Sequence, residues 1–223
     1  MDGKEGRPAL VVGLGAGGHA KVVIEILRFH REYELVGLLD VKPDLRGSNV
    51  LGVPVLGGDQ LLPQLKAGGV SHFFVGLGAT SDLSPRRRLY DFVLSLDLAP
   101  VSAIHPAAVI SPSVTLGRGI TVMASAVINA GATLGENVIV NTGAVVEHDC
   151  VVGDHVHIAS RACLASTVHV GDGAFVGAGA TVRQLIRIGP GAIIGAGAVV
   201  VKNVGENQMV LGNPARPGER RLR

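Results

Sequence analysis

The strongest constraint on the fold is a period of six residues that fills the second half of the chain. The aliphatic positions are Ile104, Ile110, Leu116, Val122, Ile128, Leu134, Val140, Val146, Val152, Ile158, Leu164, Val170, Val176, Val182, Ile188, Ile194 and Val200. A period of six matches neither an amphipathic helix nor an alternating strand. It is typical of a solenoid of short strands that each point one aliphatic side chain inward, with glycine or small residues at the corners.

The first hundred residues have the pattern of a nucleotide-binding domain. A strand expected over Ala9–Leu14 is followed by a turn that holds Gly15, Gly17 and Gly18, and a helix is expected to begin near His19. Glycines at such a turn let the backbone approach a phosphate, and the helix N-terminus supplies N–H donors and partial positive charge. This pattern predicts a phosphate-binding turn.

A second expected strand ends in Asp40, which lies 22 residues after Gly18. An acid at this place can accept hydrogen bonds from a ribose hydroxyl. A third expected strand ends at Gly76 and Gly78. The segment is too short for a complete dinucleotide fold, so we expect a half-size Rossmann-like unit that binds one nucleotide.

A helix is expected to begin at Ser84 and Pro85 and to carry Arg86, Arg87 and Arg88 in its first turns. These arginines could face a phosphate, but a charge run at a helix start is more often a solvated face, and we favour that interpretation. Prolines near residue 100 mark a seam, which predicts domains at 1–100 and 101–223.

Composition narrows the function. The chain is 47% hydrophobic with a formal net charge of +2, which gives no electrostatic reason to expect a nucleic-acid partner. No run of eighteen apolar residues occurs, so no membrane span is expected. The only cysteines, Cys150 and Cys163, fit buried thiols in a reducing cytoplasm.

Six segments in order carry a family resemblance: VGLGAGGHAKVV, LLD, VPVLGGDQ, IHPAAVIS, EHDCVVGDHVHIA and VLGNPAR. Together they resemble the hexapeptide-repeat sugar acetyltransferases, the group of sialic-acid O-acetyltransferases and nucleotide-amino-sugar N-acetyltransferases. The resemblance implies an α/β Rossmann-like domain followed by an all-β, left-handed parallel β-helix. Three hexads form one coil of eighteen residues in that family, so residues 104–205 would make between five and six coils.

The resemblance also implies an activity, which is direct transfer of acetyl from acetyl-CoA to the amino group of a UDP-4-amino sugar or GDP-perosamine. The family's catalytic histidine and the acid after it match His148 and Asp149. A histidine of ordinary pKa, about 6.5, can accept a proton near neutrality, and a neighbouring carboxylate can orient its ring. The alternative is that both are solvated turn residues.

The remaining implied roles are binding ones. The acetyl-CoA contacts match His157, Ser166, Ala178 and Ala196, and the nucleotide-sugar contacts are expected at Gly15, Gly17, Gly18, His19, Asp40 and Gly78. Relatives trimerise, and residues 104–205 carry only ten charged side chains, which fits burial of part of that surface between chains. The C-terminal arginines could neutralise CoA phosphates or could be solubilising charge.

Four alternatives stay open at this point. The acceptor could be sialic acid, acetylated on oxygen. The β-helix could be an inert scaffold, or the protein could be a non-catalytic nucleotide sensor. A zinc site is disfavoured because no two histidines of the repeat are separated by eighteen residues or a multiple of it, so none stack on one edge, and His155 and His169 are expected to be exposed turn residues.

Overall fold

The computed structural model describes residues 7–78 and 82–218. The chain divides into two compact units, one built mainly from residues before 102 and one built mainly from residues 102 onward, with residues 82–87 grouped in the second. The division at 100/101 stays a prediction. Arg220, Arg221 and Arg223, for which CoA binding and solubilising charge were both considered, lie outside the described residues.

The first unit is an α/β layer structure. Its elements are β1 (Ala9–Leu14), α1 (Gly18–Leu27), β2 (Tyr33–Leu39), β3 (Asn49–Val50), β4 (Val53–Gly57), α2 (Leu62–Ala67), β5 (His72–Val75), most of α3 (Ser84–Leu94) and β6 (Ala99–Pro100), with short 3₁₀ turns at Pro43–Leu45 and Asp59–Leu61. The first four residues of α3 are among those grouped with the second unit. The sheet order is β3-β4-β2-β1-β5-β6, and all pairs are parallel except β3 with β4. This is the predicted small Rossmann-like arrangement.

Sequence periodicity explains how these elements pack. Helix α1 buries Ala20, Val23, Ile24 and Leu27, which share one face at a spacing of three and four residues. Strand β1 is buried from Val11 onward. A strand that is buried on both faces is typical of the centre of a parallel sheet.

The second unit is a parallel β-helix. Its repeat strands are β7 (Ala103–Ile104), β8 (Val109–Ile110), β9 (Thr115–Leu116), β10 (Thr121–Val122), β11 (Val127–Ile128), β12 (Thr133–Leu134), β13 (Ile139–Val140), β14 (Val145–Val146), β15 (Val151–Val152), β16 (His157–Ile158), β17 (Cys163–Leu164), β18 (His169–Val170), β19 (Phe175–Val176), β20 (Thr181–Val182), β21 (Arg187–Ile188), β22 (Ile193–Ile194) and β23 (Val199–Val200). Strands β24 (Met209–Leu211) and β25 (Arg216–Pro217) follow them.

Every third strand pairs in register, which makes three sheets around one core. The β16 sheet has the order β25-β24-β22-β19-β16-β13-β10-β7, the β14 sheet has β23-β20-β17-β14-β11-β8, and the β15 sheet has β21-β18-β15-β12-β9. The second residue of each repeat strand is one of the predicted aliphatic positions. From Val122 to Val200 these residues are at most 3% exposed, so the phase of the repeat is confirmed, as is the predicted fold class.

Two-residue turns between the sheets stack into three edges. The His148 edge holds the turns 112–113, 130–131, 148–149, 166–167 and 184–185, between the β14 and β15 sheets. The Ala178 edge holds 124–125, 142–143, 160–161, 178–179 and 196–197, between the β16 and β14 sheets. The third edge holds 118–119, 136–137, 154–155, 172–173 and 190–191.

Three predictions of surface exposure are wrong. Arg86 is only 3% exposed, because it lies on the same face of α3 as the buried Tyr90 and Val93, whereas Arg87 and Arg88 are exposed as expected. His155 does lie in a turn but is only 9% exposed, and its Nδ1 lies 3.0 Å from the Asn137 amide one coil away. His169 lies in strand β18 and is half-buried.

No described helix is long and apolar enough to cross a membrane.

Candidate active site

The glycine turn of the first unit lies at the carboxyl edge of its sheet. Gly15 follows β1 with φ of +99°, a conformation that favours glycine, and its N–H donates to the carbonyl of Leu39 at 2.7 Å. The N–H of Gly76, just after β5, donates to the carbonyl of Leu14 at 2.7 Å. The ends of three neighbouring parallel strands therefore meet at this turn, as ligand sites in open α/β sheets do.

The Asp40 carboxylate makes two hydrogen bonds to the backbone that the sequence did not predict. Its Oδ2 accepts the N–H of Ala16 at 2.8 Å, and its Oδ1 accepts the N–H of Lys42 at 3.0 Å. The carboxylate therefore ties the end of β2 to the glycine turn. Each oxygen keeps a second acceptor position, so a ribose hydroxyl could still bind there.

The other predicted nucleotide contacts gather around the same turn. Gly17 and Gly18 are exposed, and no described atom lies within 4 Å of where a side chain would start at either residue. Packing against the rest of the described chain therefore does not explain why these two residues are glycine. A ligand that comes close to the backbone would explain it. A side chain at Gly78 would begin 3.3 Å from the Cβ of His19, so these two residues are also adjacent.

A cavity of about 320 Å³ beside Asp40 was not predicted. Lys42, Arg46, Gly58 and Asp59 are among the residues that line it. Burial raises the pKa of the Asp59 carboxyl, and the nearby charge of Asp40 raises it further. The segment VPVLGGDQ contained the only sequence signal for this cavity, since its glycines and acid follow directly after a strand.

His148 and Asp149 form an exposed pair on the His148 edge. The His148 Nδ1 lies 2.8 Å from the Asp149 Oδ2, and the two side chains are 55% and 65% exposed. An ionised carboxylate can only accept, so Nδ1 carries the proton and Nε2 presents a lone pair. This is the arrangement that a general base needs.

The two thiols beside this pair cannot serve as nucleophiles. Cys150 is fully buried, its Sγ donates to the carbonyl of Ala165 at 3.2 Å, and burial raises its pKa. Burial raises the pKa of the half-buried Cys163 as well. Both therefore remain protonated thiols near neutral pH, and the thiolate is the reactive form.

His157 lies on the β16 sheet and is 6% exposed. Its Nε2 is 3.2 Å from the Asn141 amide nitrogen, and its ring packs edge-on against Phe175 with centroids 5.3 Å apart. Asn141 Oδ1 accepts the N–H of Thr142 at 2.7 Å, which fixes the amide so that its nitrogen faces the ring. Sequence analysis missed both neighbours of His157. Phe175 could have been found, because it follows His157 by one coil and pairs with it in register, whereas Asn141 lies off that register.

The predicted acetyl-CoA residues fall on different parts of the β-helix. Ser166 stacks on His148, since the N–H of Thr167 donates to the His148 carbonyl at 3.0 Å. Ala178 and Ala196 stack on each other on the Ala178 edge, where both are exposed. The face that carries His157 lies opposite the His148 edge. One chain alone therefore does not bring these four residues to one place.

The three turn amides are suitable donors for a ligand. Within residues 7–78 and 82–218, the N–H groups of Ser166, Ala178 and Ala196 donate to no protein acceptor. Over the same residues, no group of three or more His, Cys, Asp or Glu side chains is close enough to hold a metal ion. The His148–Asp149 pair and these unused donors are therefore the candidate contacts for acetyl transfer on the β-helix.

Comparison with known proteins finds family matches in both units of the chain. A family model for the PglD N-terminal domain matches residues 11–93, and one for bacterial transferase hexapeptide repeats matches residues 131–166 and 149–184. Comparison with curated protein sequences found no match.

Several solved structures are similar over almost the whole chain. A perosamine N-acetyltransferase from Caulobacter crescentus, solved with CoA and GDP-perosamine as a variant in which one histidine is replaced by asparagine, is 43% identical over 94% of this chain and 96% of its own, with a TM-score of 0.88. The acetyltransferase domain of PglB from Neisseria gonorrhoeae, solved with acetyl coenzyme A, is 37% identical over 94% and 99%, with a TM-score of 0.86.

A third structure, WeeI from Acinetobacter baumannii, is 27% identical over 94% of this chain and 100% of its own, with a TM-score of 0.80. The first two likenesses span both units of the chain at more than one third identity. The protein therefore belongs to the family of hexapeptide-repeat sugar acetyltransferases that carry a PglD-type N-terminal domain.

Proposed function

We propose that the protein transfers the acetyl group of acetyl-CoA to the amino group of a nucleotide-linked amino sugar. The observation that carries this proposal is the 43% identity, over 94% of the chain, to an enzyme solved with CoA and GDP-perosamine. The His148–Asp149 pair adds a base of the kind that the reaction needs. An inert scaffold or a nucleotide sensor would leave that pair without a purpose.

The proposed reaction is a direct transfer with His148 as general base. The lone pair of the sugar amine attacks the thioester carbonyl, a C–N bond forms, and the C–S bond to CoA breaks. His148 Nε2 takes the proton that the amine loses, and that proton can pass to the departing CoA sulfur. Asp149 holds the ring with Nδ1 protonated and stabilises the imidazolium that forms. The raised pKa values of both thiols argue against an acetyl-cysteine intermediate.

We propose that the first unit binds the nucleotide and that the second unit binds acetyl-CoA. Gly15, Gly17, Gly18, His19, Asp40 and Gly78 are proposed to hold the nucleotide. Open space above Gly17 and Gly18 supports contact of the backbone with a phosphate, and Asp40 can accept from a ribose hydroxyl. His157, Ser166, Ala178 and Ala196 are proposed to contact acetyl-CoA, the amides of the last three as donors. Since both substrates are metabolites of the cytoplasm, that location stays our prediction.

A site shared between two copies of the chain explains why the proposed acetyl-CoA contacts lie on different parts of one β-helix. The outward row of the β14 sheet carries no charged residue and consists of Val109, Val127, Val145, Cys163, Thr181 and Val199. Val109 is 63% exposed in the single chain. This row is flanked by the His148 edge on one side and the Ala178 edge on the other. Packing of this face against a copy would place the His148 edge of one chain beside the Ala178 edge of the next.

We therefore expect a homotrimer in solution, with one acetyl-CoA site at each interface. Light scattering at micromolar concentration should give three times the mass of the chain. A charged substitution in the apolar row, Val145→Glu, should dissociate the trimer and reduce acetyl transfer with it, whereas Thr133→Glu on the exposed β15 sheet should do neither. A monomeric wild-type protein with full activity would refute the shared site.

The acceptor is best tested with a panel of substrates. Acetyl-CoA consumption should be fastest with GDP-perosamine or a UDP-4-amino sugar, and mass spectrometry should find one acetyl group on the sugar nitrogen. The matched control is the same nucleotide sugar with hydroxyl in place of the amine, which should not react. Acetylation of sialic acid on oxygen, with no reaction of the amino sugars, would replace this proposal with the O-acetyltransferase alternative.

A further inference from the structure

The turns of the β-helix do not themselves require glycine. The second residue of most two-residue turns has positive φ, with Ser113 among the exceptions, and this position is occupied by Ser125, Asn137, His155, Arg161, Thr167 and Leu185 as well as by glycines. A side chain in this conformation is therefore compatible with the fold at many coils. Gly131 has φ of +71° in the equivalent place, so backbone conformation alone does not account for glycine there.

Gly131 lies directly beneath the catalytic carboxylate. The N–H of Asp149 donates to the carbonyl of Ala130 at 3.0 Å, which stacks the two turns. A Cβ carbon placed on Gly131 would be 2.6 Å from Asp149 Oδ1, closer than non-bonded carbon and oxygen atoms approach. The other carboxylate oxygen, Oδ2, is the one that binds His148 Nδ1. Any side chain at residue 131 would thus displace the carboxylate that orients the base.

We propose that Gly131 is a positioning residue for the acetyl transfer, and that it acts by leaving the space in which the Asp149 carboxylate lies. This inference rests on the proposed role of His148 as general base. Gly131 would touch neither substrate, and its effect would pass entirely through Asp149. No sequence motif marks the residue, because its importance comes from stacking over eighteen positions.

The groups around Gly131 give glycine no second purpose at this position. The N–H of Gly131 donates to Ser113 Oγ at 3.1 Å, but an alanine at residue 131 would keep that donor. The neighbouring turns on the His148 edge carry Pro112, Ala130, Ser166, Thr167 and Gln184, which are uncharged. The nearest other carboxylate in sequence, Glu147, binds the Asn129 amide at 2.9 Å. Asp149 thus provides the carboxylate that contacts the His148 ring.

The test is Gly131→Ala with Gly173→Ala as its matched control. Gly173 occupies the same turn position with φ of +63°, and no described atom lies within 4 Å of its Cβ position. Both variants carry the same backbone strain, so thermal unfolding should shift equally. Gly131→Ala should lower kcat by about tenfold to a hundredfold, the range that misplacement of a catalytic group produces. The KM values for both substrates should stay within about twofold, and Gly173→Ala should keep wild-type kcat.

The split between kcat and binding separates positioning from general damage. In Gly131→Ala the circular dichroism spectrum, the mass of the oligomer and the acetyl-CoA affinity should match those of the wild type while kcat falls. A loss of kcat that is accompanied by an equal loss of acetyl-CoA affinity would overturn the inference. So would wild-type activity in Gly131→Ala. If this variant does not fold, Gly131→Asn provides the same measurement, since asparagine occupies the conformation at residues 137 and 207.

A double-mutant cycle completes the test. In an Asp149→Ala background, Gly131→Ala should cause no further loss, because the carboxylate on which it acts is gone. An equal loss in both backgrounds would refute the inference. Failure of the proposed function itself looks different, since His148→Ala would then keep normal turnover. A large loss in His148→Ala with a normal Gly131→Ala would overturn the positioning role alone.

Discussion

The His148→Ala variant should lose a factor of about 10² to 10⁴ in kcat, which is the usual contribution of a positioned acid–base group. In the native protein, His148 Nδ1 lies 2.8 Å from Asp149 Oδ2 and donates its proton to that oxygen. The lone pair on Nε2 is then left to take the proton of the sugar amine. Alanine removes that acceptor, and the adjacent Cys150 cannot replace it because it is buried and remains a neutral thiol. Steady-state acetyl transfer from acetyl-CoA to an amino sugar measures the effect.

Binding and assembly should persist in that variant. The His148 side chain is 55% exposed and projects from a turn, so it contributes little to the core. Acetyl-CoA affinity and the mass of the oligomer should match those of the wild type. Asp149→Asn should cost less than His148→Ala, since it disturbs the orientation of the ring but leaves the base. We therefore expect the kcat of Asp149→Asn to lie between the kcat of the wild type and that of His148→Ala.

The pH dependence provides a second measurement. Wild-type turnover should fall as the pH is lowered through the range in which imidazole becomes protonated, because imidazolium cannot accept a proton. His148→Ala should lose this limb of the profile along with its rate. Wild-type activity that is flat over this range, together with near-normal turnover in His148→Ala, would show that the pair consists only of solvated turn residues.

The β-helix could be predicted almost completely from the sequence because one local rule repeats. Each aliphatic at a period of six must be buried, and any shift in register would expose it. The predicted positions from Val122 to Val200 are all buried. The rule weakens only at the start of the repeat, where Ile104, Ile110 and Leu116 are half-buried because no coil covers them from below.

The candidate site was less predictable, since its decisive contacts join residues that no local pattern connects. The eighteen-residue coil did predict that Ser166 stacks on His148. It did not predict that Asp149 requires an empty place at Gly131, because this depends on side-chain direction as well as register. The contact between His155 and Asn137 was unforeseen for the same reason, since the two residues lie one coil apart.

In the first unit the sequence predicted that the glycine turn and Asp40 lie together, but not how they are joined. Both lie at the carboxyl edge of the sheet. The carboxylate of Asp40 proved to bind the Ala16 amide of that same turn. Arg86 was assigned to the solvated face because charge dominates the local sequence there, although helical spacing to Tyr90 and Val93 places it among buried residues.

The Val152→Asp variant should fail to fold, and it measures the phase of the repeat directly. Val152 is 2% exposed and pairs in register with Leu134 below and Val170 above, so its side chain is enclosed by aliphatic neighbours. An unpaired carboxyl group in such a place costs several kcal/mol whether it is charged or protonated. Native domains have only about 5–15 kcal/mol of stability in total. We therefore expect insoluble protein or a greatly lowered Tm.

Val151→Asp is the matched control for this substitution, because it places the same side chain one residue earlier on the same strand. Val151 points outward from the β15 sheet and is 43% exposed, so its carboxylate would stay in water. Circular dichroism and thermal unfolding should find this variant close to the wild type, with normal acetyl transfer. A soluble and active Val152→Asp protein would contradict this prediction, and so would equal damage from the two substitutions. Either result would mean that the β-helix does not depend on burying the second residue of each short strand.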